Sequence, residues 1–206
     1  MPEEHYTWLP RSDILTFEEL SYLVDAFMET GVDRVRLTGG EPLLRRDLPV
    51  LVEMLAAKSG LSEIALTTNA VLLRGQAKSL RDAGLNRVTI SLDTLQPQRF
   101  RSLTRRDEHQ RALDGIDAAR AAGLAQGLKI NTVVMRGTND DELAEMVAFG
   151  RSIGAEVRFI EYMDVGGATH WSQQQLVSKA EILRRLADHY GEIIPAETDP
   201  AAIQAQ

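Results

Sequence analysis

The chain has 206 residues, of which 44% are hydrophobic and 26% are charged, so it can bury a core of ordinary size for one domain. Its formal net charge of -7 argues against a nucleic-acid groove built from a basic field, and no apolar run approaches the roughly 18 residues that span a bilayer. The amino-terminal segment MPEEHYTWLPR has acidic residues and prolines where a secretory signal has an apolar segment. We therefore expect a cytoplasmic protein that binds neither nucleic acid nor membrane.

The sequence contains no cysteine, which excludes disulfides and any thiolate-bound metal or iron–sulfur centre held by this chain itself. The histidines are scattered without the close spacing of metal ligands. They are His5, His109, His170 and His189. We therefore predict no metal site in this chain.

Helical and extended patterns alternate along almost the whole chain. A capping box of Thr16 and Glu19 precedes an apolar stripe at helical spacing, and Gly31 is placed to end that helix. The later predicted helices begin after Asp47 and then cover 74–83, 98–103, 109–122, a segment opened by Asn139 and Glu142, and 178–189. The predicted strands are 33–38, 62–68, 86–93, 128–135 and 156–163, and a Gly166-Gly167 loop and a mobile tail after Pro195 complete the chain.

Five strands separated by helices predict a parallel sheet with right-handed crossovers. The β-branched, apolar composition of the strands fits a sheet that is covered on both faces. A doubly wound sheet and a (β/α) barrel both satisfy this order of elements. The sequence shows no internal repeat and no second domain.

Polar residues follow or interrupt each apolar strand near its carboxyl end. They are Thr38 to Glu41, Thr67 to Asn69, Ser91 and Asp93, Lys129 and Asn131, and Arg158, Glu161, Tyr162 and Met163. In barrels and open α/β sheets alike, ligands bind at the carboxyl ends of the strands. A rim to which five strands contribute describes a site ringed by the sheet, which favours the barrel.

Some of these residues have a simpler interpretation. Thr67, Thr68, Asn69 and Ser91 are residue types that commonly cap a following helix, so capping and ligand binding stay open for each of them. Met163 alone fits core filling as well as a ligand contact.

Three polar residues are harder to explain by local structure. Lys129 and Asn131 interrupt a strand that is otherwise buried. Arg36 is flanked by apolar residues, and a group that is always charged needs a partner or a ligand there. Glu161 is a candidate for that partner in a structural ion pair.

Gly39 and Gly40 leave the backbone bare at the end of the first strand. No Gly-Lys-Ser/Thr follows them and no GxGxxG is present, so the usual phosphate-binding loops are unsupported. Exposed backbone N–H and C=O groups suit a ligand that carries its own donors and acceptors, such as an amino-acid moiety.

Six segments, in their order and spacing, resemble one family of radical S-adenosylmethionine (SAM) enzymes, the GTP 3',8-cyclases or molybdenum-cofactor biosynthesis protein A family. They are LTGGEPLLR, LTTNA, VTISLD, KINTVV, GTNDDE and RFIEYMDVG. GGEP alone would indicate only the radical SAM superfamily, whereas RFIEYM and the context TGGEPLLR point to this member. The resemblance covers nearly the whole chain to about residue 195 and implies a partial (β/α)6 TIM-like barrel that lacks its first strand.

The resemblance also implies an activity and a set of site residues. The family cyclises GTP to 3',8-cyclo-7,8-dihydro-GTP in a SAM-dependent radical reaction of molybdenum cofactor (molybdopterin) biosynthesis. No catalytic residue is identified from it. The residues that it matches to SAM binding are Gly39, Gly40, Glu41, Ser91, Arg158 and Met163, and those that it matches to the GTP pocket are Arg36, Thr67 and Lys129.

The chain departs from this family in its cysteines. The family has two [4Fe–4S] clusters, and the ligands of both are absent here. Its CxxxCxxC loop would end one residue before Met1, and its carboxyl-terminal domain is missing. We therefore expect residues 1–195 to form a truncated barrel core, residues 196–206 to be disordered or to begin the missing domain, and the chain alone to be inactive.

Two other functions stay open on the sequence. One is a different radical SAM enzyme, for example one that modifies a peptide or a porphyrin. The other is a remnant that binds SAM or a nucleotide without catalysis, which the lack of cysteine favours. The family resemblance implies GTP as the small-molecule partner and a possible homodimer.

Overall fold

The computed structural model describes Pro10 and residues 13–164 and 171–194. In this part of the chain, strands and helices alternate as the sequence predicts. The strands are β1 (Arg34–Leu37), β2 (Glu63–Thr68), β3 (Arg87–Ser91), β4 (Lys129–Val134) and β5 (Glu156–Glu161). The helices are α1 (Phe17–Met28), α2 (Leu48–Ala56), α3 (Ala77–Asp82), α4 (Pro97–Thr104), α5 (His109–Ala121), α6 (Leu143–Ile153) and α7 (Lys179–Tyr190).

The strands form one parallel sheet in the order β1-β2-β3-β4-β5. A doubly wound sheet reverses its strand order at a switch point, and this sheet has no such reversal. Sequential parallel strands with right-handed crossovers instead carry all their helices on one face, as in a barrel. Among the described strands β1 and β5 do not pair with each other, so the barrel is partial and open.

The two faces of the sheet differ because side chains alternate along a strand. Apolar residues on one face are buried against the helices in a continuous core, for example Ile64, Leu66, Val88, Ile90 and Ile130. The opposite face, which we call the inner face, receives the residues in between. The polar residues that interrupt the strand patterns therefore lie together on the inner face.

Local signals explain where the helices begin. Thr16 and Glu19 form the predicted capping box at the start of α1, where the Thr16 side chain accepts from the backbone of Glu19 and the Glu19 carboxylate accepts from that of Thr16. The prediction that Asp47 caps α2 is only partly right. Asp47 does precede the helix, but its backbone is left-handed, at a φ of 59°, and its side chain makes no capping hydrogen bond.

Several predicted features lie outside the described residues. These are the Gly166-Gly167 loop, the tail 196–206, His5 and His170. Within 13–164 and 171–194, no helix is both long and apolar enough to cross a membrane.

Helix α5 approaches the loop after β2 very closely. A Cβ atom on Gly115 would lie 2.1 Å from the backbone oxygen of Ala70, which is itself fully buried and left-handed at a φ of 64°. The obstacle is backbone rather than the end of a flexible side chain, so relief requires the loop to move. Gly115 therefore sets the position of the segment that follows Thr68.

We expect Gly115→Ala to destabilise the protein by about 1–3 kcal/mol, because overpacking outweighs the gain in helix propensity. Gly75→Ala is the matched control, since Gly75 is exposed and a Cβ atom there meets nothing within 4 Å. Urea unfolding monitored by circular dichroism measures both variants. Equal stability of the two variants would contradict the close approach.

Candidate functional site

The strand register arranges the inner face in four rows that run across the sheet. Side chains in one row occupy paired positions on adjacent strands, about 4.8 Å apart. The upper row holds Ser91, Asn131 and Arg158, the middle row holds Thr67, Thr89, Lys129 and Glu156, and the lower row holds Arg36, Ala65 and Arg87. A short fourth row below these holds Arg34 and Glu63.

The rows separate the two sets of residues that the resemblance predicts. Ser91 and Arg158, matched to SAM, fall in the upper row, and Thr67 and Lys129, matched to GTP, fall in the middle row. Arg36 begins in the lower row and reaches into the middle one. The nine predicted residues therefore include five that converge on one face, although their individual roles stay predictions.

Arg36 holds its charge among hydroxyls. Its Nη1 donates to Thr67 Oγ1 at 3.1 Å and to Thr89 Oγ1 at 3.2 Å. Among the residues that the structure describes, no carboxylate lies within ion-pair distance of it. Partial burial lowers the pKa of Arg36, repulsion by Arg87 and Arg158 adds to that effect, and the charge of Glu63 opposes it. The guanidinium is thus a cation for which an anionic ligand would be favourable.

The structural partner proposed for Arg36 is wrong. Glu161 accepts a hydrogen bond at 2.5 Å from the backbone N–H of Lys179, at the start of α7. Arg158 and Glu161 are three residues apart in β5, so their side chains point to opposite faces of the sheet. Glu161 therefore stabilises the start of a helix and does not neutralise the inner face.

The glycine loop after β1 is open above its backbone. Gly39 has a φ of 141°, which favours glycine, and Cβ atoms on Gly39 or Gly40 would meet nothing within 4 Å. Packing within the chain therefore does not require the bare backbone at Gly40. The space that a side chain would fill lies free for a ligand, which fits an amino-acid moiety such as that of SAM.

Glu41 holds this loop against the end of β2. Its Oε1 accepts from Leu43 N at 3.0 Å and from Thr68 Oγ1 at 2.7 Å, and its Oε2 accepts from Asn69 N at 2.9 Å. A carboxylate with these charge-assisted hydrogen bonds is fixed in place. The structure thus gives Glu41 a tethering role, and direct contact with SAM stays a prediction.

The prediction that Thr68 and Asn69 cap a following helix is wrong, because the helical segments that follow have no side-chain capping hydrogen bond and both residues instead bond to the chain two positions on. Thr68 Oγ1 accepts from Ala70 N at 3.1 Å, and Asn69 Oδ1 accepts from Val71 N at 3.0 Å. These side chains stabilise a turn. Thr67 differs, because its hydroxyl receives the guanidinium on the inner face.

Ser91 opens on a cavity of about 80 Å³ beyond the end of β3. Asp93 also lines this cavity, and its carboxylate accepts from Val133 N at 2.8 Å. Burial raises the pKa of Asp93, and that hydrogen bond opposes the effect. Met163 follows β5 with 63% of its surface exposed, so the core-filling alternative is wrong for it.

Sequence reasoning missed what the GTNDDE segment does. The sequence pattern predicts only that Asn139 opens a helix, but the residue is buried and joins the loop after β3 to the end of β4. Its Nδ2 donates to Asp93 O at 2.7 Å and to Val133 O at 2.8 Å, and its Oδ1 accepts from Met135 N at 2.8 Å. The loop after Ser91 is thereby joined to β4.

Glu142 supports the same loop. Its buried carboxylate accepts from Thr94 Oγ1 at 2.6 Å and from Leu95 N at 2.7 Å, and it pairs with Arg99. The contacts join residues 47 and 48 positions apart, so nothing in local spacing predicts them. Asn139 and Glu142 together fix the segment in which Ser91 and Asp93 lie.

An open parallel sheet with all its helices on one face and a polar inner face defines an α/β protein of the partial-barrel type. The chain belongs to the radical SAM superfamily, since the model of that family matches residues 3–150.

Curated relatives are similar over nearly the whole chain. GTP 3',8-cyclase 1 of Mycobacterium tuberculosis (strain ATCC 25618 / H37Rv) is 53% identical over 98% of this chain and 58% of its own length. GTP 3',8-cyclase of Acidothermus cellulolyticus is 50% identical over 92% of this chain and 54% of its own length. The chain thus spans a little more than half of these relatives.

Solved structures share the fold. HydG, a maturase of the [FeFe]-hydrogenase, superposes with a TM-score of 0.61 at 14% identity, over 84% of this chain and 41% of its own. The radical SAM enzyme coproporphyrinogen III oxidase (HemN) from Escherichia coli gives a TM-score of 0.59 at 16% identity, over 77% and 40% of the two chains. Both confirm the TIM-like partial barrel.

The family implies SAM and an iron–sulfur cluster, and the residues present fit only the first. The open backbone at Gly39 and Gly40 and the hydroxyl of Ser91 suit a ligand with donors and acceptors. The chain has no cysteine, and within its described residues no group of three or more metal-ligating side chains could hold an ion. This chain therefore offers no thiolate ligands for a cluster.

We expect Glu41→Gln to destabilise the protein by about 2 kcal/mol, because an amide nitrogen replaces one of two oxygens that accept hydrogen bonds. The amides of Leu43 and Asn69 should exchange faster with deuterium. Glu53→Gln, on the exposed side of α2, is the control and should change stability by less than about 0.5 kcal/mol. Urea unfolding and hydrogen exchange measure these effects, and unchanged exchange at both amides would contradict the tether.

Proposed function

We propose that this chain forms the SAM- and GTP-binding barrel of a GTP 3',8-cyclase, which converts GTP to 3',8-cyclo-7,8-dihydro-GTP in molybdenum cofactor biosynthesis. Membership of the radical SAM superfamily supports the SAM part, and relatives with that name at 50–53% identity support the substrate. The observation that carries the proposal is Arg36, an exposed guanidinium on the inner face whose hydrogen bonds within the described part of the chain go to the hydroxyls of Thr67 and Thr89.

The inner face is suited to the charge of a nucleoside triphosphate. Arg36 of β1 supplies a planar guanidinium with several donors, and Lys129 supplies a compact ammonium in the middle row of β4, three strands further along the sheet. Only 12% of the Lys129 side chain is exposed, so water screens its charge weakly. Thr67 adds a hydroxyl that orients the guanidinium.

The upper row of the inner face and the glycine loop after β1 are suited to SAM. Backbone groups at Gly39 and Gly40 would hold the methionyl amino group, Ser91 and Arg158 would bind from the upper row, and the backbone at Met163 would meet the adenine. SAM, when bound, is the source of the radical in this family. The chain's own part would be to hold both ligands in position and to keep water from the reacting atoms.

We expect Arg36→Ala to weaken GTP binding at least about tenfold, since each hydrogen bond to a charged group is worth about 1.5–3 kcal/mol. Arg120→Ala removes the same charge from the exposed side of α5, away from the inner face, where the side chain is 40% exposed beside Asp117, and should change binding little. Calorimetric titration with GTP and ATP measures both. Equal weakening by the two variants, or equal affinity for GTP and ATP, would count against a GTP site.

The cysteine-free sequence leads to a second expectation. After anaerobic reconstitution with iron and sulfide, the protein should show no absorption band of a [4Fe–4S] cluster and should not cleave SAM. Reconstitution of a radical SAM protein that contains the CxxxCxxC loop is the positive control. A cluster band that survives desalting would show that this chain holds iron without thiolates.

A further inference from the structure

Glu156 contacts two of the cations that the proposed function assigns to ligands. Its Oε2 lies 3.2 Å from Lys129 Nζ, and its Oε1 lies 2.6 Å from Arg158 Nε. One carboxylate thus bridges the middle row and the upper row of the inner face. Burial alone would raise the pKa of Glu156, but the hydrogen bonds from Arg158 and Lys129 outweigh it and lower the pKa.

The inner face has a second acidic residue in a different setting. Glu63 pairs with Arg87 at 2.5 Å, and the two side chains are only 27% and 18% exposed. Glu156 is 55% exposed and sits at the edge strand β5. A partly buried pair is costlier to separate than an exposed one, whose carboxylate can move into water. Glu156 is therefore the acid on this face that a ligand can replace.

We propose that Glu156 is an internal counter-ion of the site, which holds Lys129 and Arg158 while no ligand is bound and is displaced by the anionic groups of the ligand. The inference rests on the proposed function, because it assumes that these two cations bind an anion. Glu156 is a positioning residue in this account and does not itself contact the reacting atoms.

The reason for such a residue is the repulsion between neighbouring cations. Repulsion by Arg158 and Arg87 already lowers the pKa of Arg36, and Lys129 adds a further positive charge in the middle row. Without Glu156, Lys129 and Arg158 would have no carboxylate at ion-pair distance among the described residues. The carboxylate therefore stabilises the free site, and the same attraction must be overcome when a ligand binds.

The test compares Glu156→Gln with the wild-type chain in calorimetric titrations with sodium tripolyphosphate and with GTP. Glutamine keeps the shape of the side chain and removes its charge. We expect the variant to bind tripolyphosphate about fivefold more tightly, the factor expected for removing two partly exposed ion pairs. The gain should shrink as salt is added, because the charges are partly exposed.

Two further variants separate charge from shape. Glu145→Gln removes a charge from the exposed side of α6 and should leave affinity within about twofold. Glu156→Asp keeps the charge with a shorter side chain and should stay close to wild type. A larger change in tripolyphosphate affinity for Glu156→Asp than for Glu156→Gln would show that side-chain shape rather than charge controls binding. That result would refute the proposal that Glu156 is a counter-ion.

Thermal unfolding gives an independent measurement. Glu156→Gln should melt at a lower temperature than wild type without ligand, and saturating tripolyphosphate should raise its melting temperature by more than it raises that of wild type. Unchanged or weaker binding by Glu156→Gln, with GTP still bound by wild type, would refute the counter-ion and leave the proposed function in place. If neither protein binds GTP or tripolyphosphate, both proposals fall.

Discussion

The site depends on the alternation of side chains along five parallel strands whose helices all lie on one face. Because the core lies on the helix-covered face, every second residue of a strand points to the inner face and does not have to be apolar. Those positions hold Arg36, Thr67, Thr89, Lys129 and Arg158. A shift of one residue in any strand would exchange the two sets, so the same pattern that builds the core also fixes the site.

The loops that follow the strands are held by one repeated arrangement. In two places a glutamate accepts from a threonine hydroxyl and from the next backbone N–H. Glu41 does so with Thr68 and Asn69, and Glu142 does so with Thr94 and Leu95. The glutamates come from different directions in the chain, one from the preceding loop and one from the turn before α6. In each case a fixed carboxylate orders a loop that borders the inner face.

Periodicity was sufficient to predict the parallel fold and its five strands, because core packing leaves a regular signal in the sequence. The expected rim at the carboxyl ends of the strands is only partly right, because Lys129 is the first residue of β4 and Arg158 lies in the middle of β5. The alternation of side chains could have excluded Glu161 as the partner of Arg36. Glu161 is three residues from Arg158 in β5, so the two cannot both lie on the inner face. The register was not available from the sequence, so the pairing of Glu156 with Lys129 could not be predicted. The tertiary contacts of Asn139 also join distant segments that leave no local pattern.

The overall charge of -7 conceals the electrostatics of this face. Its rows hold five cations, namely Arg34, Arg36, Arg87, Lys129 and Arg158. Glu63 and Glu156 each neutralise part of that charge. An acidic protein with such a face gains little long-range attraction for anions, but it can recognise one at short range. Among the described residues Arg36 has hydroxyls rather than carboxylates at hydrogen-bond distance, so its charge is left unbalanced beside Thr67 of β2 and Thr89 of β3.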